Sequence, residues 1–143
     1  MATAHVIYEK DLRITAQHIL SGDRIVTDAP PDNKGKGEAF SPTDLLATSL
    51  ACCMLTIIGI AANEHGFSID GTEASVTKVM FSNPRRVGRI EIVMTFPEVA
   101  YTIKQKRIIE AAARTCPVSQ SLSKELEQDI TFHFPEVPQG QKE

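Results

Sequence analysis

From Leu45 to Ala62 the chain runs 18 residues without a charge, and no other feature restricts its fold as much. About 18 apolar residues is the length at which a membrane-spanning helix has to be weighed. The run argues against one: Thr48, Ser49, Thr56 and Gly59 interrupt it, alanines dilute its hydropathy, and no Lys or Arg flanks it. The better reading is a helix buried on all sides of a soluble core, with no membrane as partner. Both ends carry boundary signals. Ser41 can cap the free N–H groups, Pro42 suits the first helical position, and Asp44 opposes the positive end of the macrodipole. Near Glu64 the helix meets His65-Gly66, and glycine supplies the left-handed residue that helix ends favour.

Around this helix the period changes to two. Thr3 to Glu9 and Leu12 to Ile19 alternate apolar and polar residues across a polar joint at 9 to 11, which reads as a hairpin. Ser21-Gly22-Asp23 turns the chain into a β-branched third strand, Arg24 to Thr27. Ala29 to Phe40, with two prolines and two glycines, is a loop by composition. Ser68 to Phe81 and Arg89 to Phe96 form a second hairpin about Asn83-Pro84-Arg85-Arg86, with Val76, Val79, Ile90, Ile92 and Met94 facing inward. Helical spacing returns from Tyr101 to Thr115, where Ile103, Ile108, Ala111 and Ala112 share a face. Pro117 then opens a short helix running to about Glu127, Asp129 to Phe134 is a last strand, and the tail from Pro135 to Glu143 is polar and expected to fray. The order βββ-α-ββ-αα-β is α+β, a mainly antiparallel sheet wrapped around a long central apolar helix, and a length of 143 residues suits one domain spanning 1–143.

Charge and cysteine usage exclude several functions. With 15 Lys+Arg against 18 Asp+Glu the chain lacks the positive field that a nucleic acid requires. The N-terminus has neither the basic start nor the apolar core of a signal peptide, so a cytoplasmic location is expected. Three cysteines, Cys52, Cys53 and Cys116, are an odd count, which disfavours a structural disulfide framework and leaves free or transiently paired thiols. His5, His18, His65 and His133 have no ligand spacing, and adjacent cysteines are not the gapped pair of a zinc site, so neither metal nor cofactor is expected. Gly35-Lys36-Gly37-Glu38 lacks the Gly-Lys-Ser/Thr ending of a phosphate loop, and no serine sits in a nucleophile elbow.

The thiols are therefore the candidate chemistry. A thiol attacks as its thiolate, which needs a cation, a helix N-terminus or hydrogen-bond donors. Cys52 and Cys53 lie inside the long helix and need an external cation, whereas Cys116, just before Pro117, takes the helix-start position that favours a thiolate. Cysteine is also among the most buried residue types, so the residues alone leave core packing and redox chemistry both open.

Ser41-Pro42 followed by an apolar helix with Cys53 eleven residues after the proline, and then Cys116-Pro117-Val118-Ser119, resembles the OsmC/Ohr family of thiol-dependent hydroperoxide reductases over about residues 3 to 134. The resemblance implies that Cys53 is the peroxidatic thiol and that Cys116 resolves its sulfenic acid. It further implies an organic hydroperoxide substrate, an external dithiol or lipoyl-type reductant, and a homodimer with sites at the interface. It calls for an arginine at the thiolate, for which Arg13 and Arg24 are the candidates, and for a glutamate directly after the proline. That position is Thr43, which marks a divergent OsmC-like branch. Asp44 lies nine residues before Cys53, about 180° around the helix at about 100° per residue, so it does not replace the glutamate, whereas Glu38 in the preceding loop can fold over the site. A loosened arginine implies slower turnover than in a typical member. Two other functions remain open, a non-catalytic small-ligand-binding protein of this fold and a thiol redox sensor. Turnover separates them, since a sensor oxidises once per chain and a binder not at all.

Overall fold

A computed structural model of the chain describes residues 1–137. It divides into two compact units, Met1–Leu46 and Ala47 onward. The first holds strands β1 (Ala4–Lys10), β2 (Arg13–His18) and β3 (Arg24–Thr27) in an antiparallel sheet of that order. Ile14 pairs with Tyr8 on one side and Thr27 on the other, fixing the register. A short 3-10 turn, Pro31–Asn33, lies in the loop that follows.

Helix α1, Pro42–Glu64, begins in the first unit and continues into the second. Its start is a reciprocal cap: the Asp44 N–H donates to Ser41 Oγ at 3.0 Å, and the Ser41 N–H donates to Asp44 Oδ2 at 2.9 Å. Its end is a Schellman turn about Gly66 (φ 75°), with the Phe67 N–H donating to the Ala62 carbonyl and the Gly66 N–H to Asn63. The helix is not buried all round. Ala47, Leu50, Ala51, Met54, Ile58 and Ala62 form its core face, while Cys52, Thr56 and Ile60, spaced four apart, lie exposed. A charge-free sequence shows that water can be excluded but does not say from how many sides.

The second unit packs that core face against strands β4 (Glu73–Phe81), β5 (Arg86–Thr95) and β6 (Glu127–His133) and helices α2 (Ile103–Arg114) and α3 (Pro117–Ser121). β4 and β5 form the expected hairpin, whereas β6 runs parallel to β5, with Ile92 opposite Ile130. The sheet is therefore mixed, because two helices carry the chain back to the same end before β6 begins. Ile90, Ile92 and Met94 face inward as expected. Val79 does not: odd spacing from Val76 puts it on the outer face, and Val76 and Met80 turn in. On α2 the buried face is Ile109, Ala112 and Ala113, so of the expected set Ala112 is buried, Ile108 half-buried, and Ile103 and Ala111 exposed. β4 starts five residues later than its alternation suggests, because Asp70-Gly71 makes a turn closed by Thr72 bonding to Ile69. α3 stops at Ser121 rather than near Glu127. Its serines divert the backbone, with Ser121 Oγ donating to the Pro117 carbonyl and Ser123 opening a turn to Leu126. Of the expected frayed tail, 135–137 have no regular secondary structure and 138–143 lie outside the described residues.

Candidate active site

Each unit gathers a set of the expected residues. In the second, Cys53 is half-buried on α1 and packs against the core, while Cys116, fully buried, forms the N-cap of α3. Cys53 is close enough to Cys116 to push the pKa of its thiol up. Neighbouring helical residues point about 100° apart, and Cys52 is accordingly on the exposed flank. The Ser119 N–H donates to Cys116 Sγ at 3.3 Å. Ser119 is itself tied to β6, its Oγ donating to Gln128 Oε1 at 2.6 Å, so α3 holds Cys116 from a fixed platform. A cavity of about 220 Å³ beside it is lined by Met54, Arg114, Ser119, Gln128, Ile130 and Phe132 among others, and by neither cysteine.

The structure corrects the expectation that Cys116 favours a thiolate. Burial pushes its pKa up, the Ser119 N–H only partly offsets this, and the neighbouring Cys53 raises it again. Five residues of helix contribute little dipole against full desolvation. Cys116 therefore keeps its proton at neutral pH.

In the first unit Arg13, at the start of β2, reaches two carboxylates. Nε and Nη2 donate to Asp28 Oδ1 and Oδ2 at 3.2 and 2.8 Å, and Nη2 also donates to Glu38 Oε1 at 3.2 Å. Asp28 is 3% exposed, and the Arg13 guanidinium holds its carboxyl below the usual range although burial opposes this. The same bond raises the guanidinium pKa further. The loop between them is built for this. The Gly35 N–H donates to the Pro30 carbonyl and the Gly37 N–H to Ala29, and a Cβ on Gly35 would collide with the Ala29 backbone. The fold-back ends with the Glu38 N–H donating to Asp28 Oδ2 at 3.2 Å. Of the expected residues, Glu38 thus joins Arg13 and Cys53 joins Cys116. Arg24 lies exposed at the head of β3 and belongs to neither set. Thr43 bonds to Ser41 Oγ, and Asp44 serves the helix cap. Asp28 was missed because a single Asp after a short strand and before Ala-Pro-Pro reads as a turn residue. Among the described residues no three His, Cys, Asp or Glu side chains cluster as a metal set would.

A family model for OsmC-like proteins matches residues 35–131, more than half of the chain. The chain belongs to the OsmC-like family. A solved structure from Psychrobacter arcticus 273-4, provisionally described as an osmotic stress induced and detoxification response protein, is 52% identical over 93% of this chain and 96% of that one, with a TM-score of 0.89. Two others share the fold at 15% identity. An organic hydroperoxide resistance protein OsmC from Legionella pneumophila covers 93% of this chain and 98% of that one at TM-score 0.69. An organic hydroperoxide resistance protein from Elizabethkingia anophelis covers 94% and 98% at 0.72. Among curated proteins none matches. The OsmC-like fold and family expected from the two cysteine motifs are thus both established.

Proposed function

We propose that this OsmC-like protein reduces organic hydroperoxides at the expense of a dithiol. The observation that carries the reading is the adjacency of a half-buried Cys53 and a fully buried Cys116 that caps α3. Cys53, as thiolate, attacks the terminal oxygen of the peroxide; the O–O bond breaks, the sulfur becomes a sulfenic acid, and the alkoxide leaves and takes a proton. Cys116 then attacks that sulfur. The S–S bond forms, and the sulfenic hydroxyl departs as water with the Cys116 proton. An external dithiol of lipoyl type reduces the disulfide by two exchanges and leaves as its own disulfide. Arg13, from this chain or a second copy, is the cation that favours the Cys53 thiolate and stabilises charge on the leaving oxygen. No cofactor takes part in this scheme.

A homodimer is part of the proposal. Every residue of β1 is exposed, with Val6 and Tyr8 at 60%, and Ile7, Ile25 and Val26 are open as well. Apolar residues exposed on both faces of a small sheet favour a covering partner. Steady-state consumption of cumene hydroperoxide with dihydrolipoamide tests the activity. Wild type should turn over many times and Cys53→Ser not at all. One oxidation per chain would make the protein a sensor, and none a binding protein.

A further inference from the structure

We propose that Asp28 is the positioning residue for Arg13: it grips one edge of the guanidinium, fixes its plane, and leaves the other edge free for the role given to Arg13 above. The inference rests on the role given to Arg13 above and adds the group that aims it.

A guanidinium presents five N–H donors in a rigid plane. Asp28 takes Nε and Nη2 with its two oxygens, the side-on two-bond geometry that fixes both the position and the plane of the fork. Glu38 adds a third contact on Nη2, already held. Nη1 makes no hydrogen bond among the described residues, so two donors remain on one defined edge. The two carboxylates differ in the constraint they apply. Asp28 is almost completely buried and held by the backbone, its own N–H bonding to the Phe40 carbonyl and its Oδ2 accepting from the Glu38 N–H. Glu38 is 60% exposed and makes one longer contact, of the kind that water screens and that contributes little. Asp28 therefore aims the arginine, and Glu38 covers it.

This gives Thr43 a physical meaning. The orienting carboxylate comes from the end of β3, so the residue after Pro42 is released to bond to Ser41, and Asp44 is used in the helix cap. The loop carrying Glu38 folds back on Ala29 and Pro30, directly after Asp28, so the anchor and its cover form one local structure.

The test separates the two half-reactions by stopped flow in the full-length protein: oxidation by cumene hydroperoxide, and reduction of the resulting disulfide by dithiothreitol. Asp28→Asn should slow oxidation about 10- to 100-fold, the scale of a misplaced catalytic group, while leaving reduction unchanged. Arg13→Lys, which keeps the charge but not the fork, should slow oxidation to the same extent, and the double variant should be no slower than either single one. Asp28→Glu keeps the buried charge on a longer arm and decides the matter if Asp28→Asn does not fold: slowed oxidation supports the proposal and a wild-type rate overturns it. Asp28→Asn oxidising at the wild-type rate while Arg13→Lys is slow would also overturn it and leave the role of Arg13 intact. Wild-type oxidation in Arg13→Lys and Arg13→Ala would remove the reading on which it rests.

Discussion

At the scale of single residues the two thiols differ in the work that they are fitted to do. Cys116 is buried under the N–H of Ser119 with its pKa raised first by burial, so the folded chain binds this proton more tightly than the unfolded chain. That proton adds stability below the ordinary thiol pKa, and the gain fades as pH climbs through the raised value. The urea midpoint of the reduced wild type should therefore fall more steeply between about pH 8 and 10 than that of Cys116→Ala. Equal slopes would mean that Cys116 is no harder to ionise than an unfolded thiol. Thr43→Glu is informative for the opposite reason. A missing glutamate suggests a gain on restoring it, but Nε and Nη2 of Arg13 already have acceptors. The substitution should leave peroxide turnover unchanged or lower. An increase of about tenfold would show that the arginine still lacks an anchor.

At the scale of elements, the parts with local chemical signals were the ones that could be read in advance. The ends of α1 are set by Ser41, Asp44 and Gly66, whose bonds involve near neighbours in sequence. Ser41→Ala should cost about 1 kcal/mol in urea unfolding, since it removes the acceptor of the Asp44 N–H. A loss below about 0.3 kcal/mol would mean that the cap contributes nothing beyond water. The two cysteine motifs were legible for a related reason, since fixed spacing from Pro42 and Pro117 places each thiol on its helix. The remainder depended on distant groups. Alternation in Glu127–His133 marks a strand but carries no information on direction, so the parallel pairing with β5 was hidden. The open flank of α1 was hidden too, because Cys52, Thr56 and Ile60 suit either burial or exposure. Asp28 is fifteen residues from Arg13, and nothing near it in sequence marks it as a partner.

At the scale of the molecule, the exposed apolar side chains of β1 and β3 set the expectation of a partner. Val6, Ile7, Tyr8, Ile25 and Val26 are too many for a small sheet facing water, and a second copy is the partner that the proposal commits to. Sedimentation of the wild type should give a dimer, and Val6→Lys with Tyr8→Lys should shift it towards monomer and lower peroxide turnover with it. A wild-type monomer that turns over peroxide would refute the need for a partner. The central claim, however, is that Cys53 and Cys116 act as a peroxidatic and resolving pair. It is tested most directly by treating the reduced protein with one equivalent of cumene hydroperoxide, without reductant, and mapping the peptides by mass spectrometry. The account predicts a bridge between Cys53 and Cys116 with Cys52 still a free thiol. A bridge through Cys52, or a Cys53 left reduced while peroxide remains unconsumed, would contradict it.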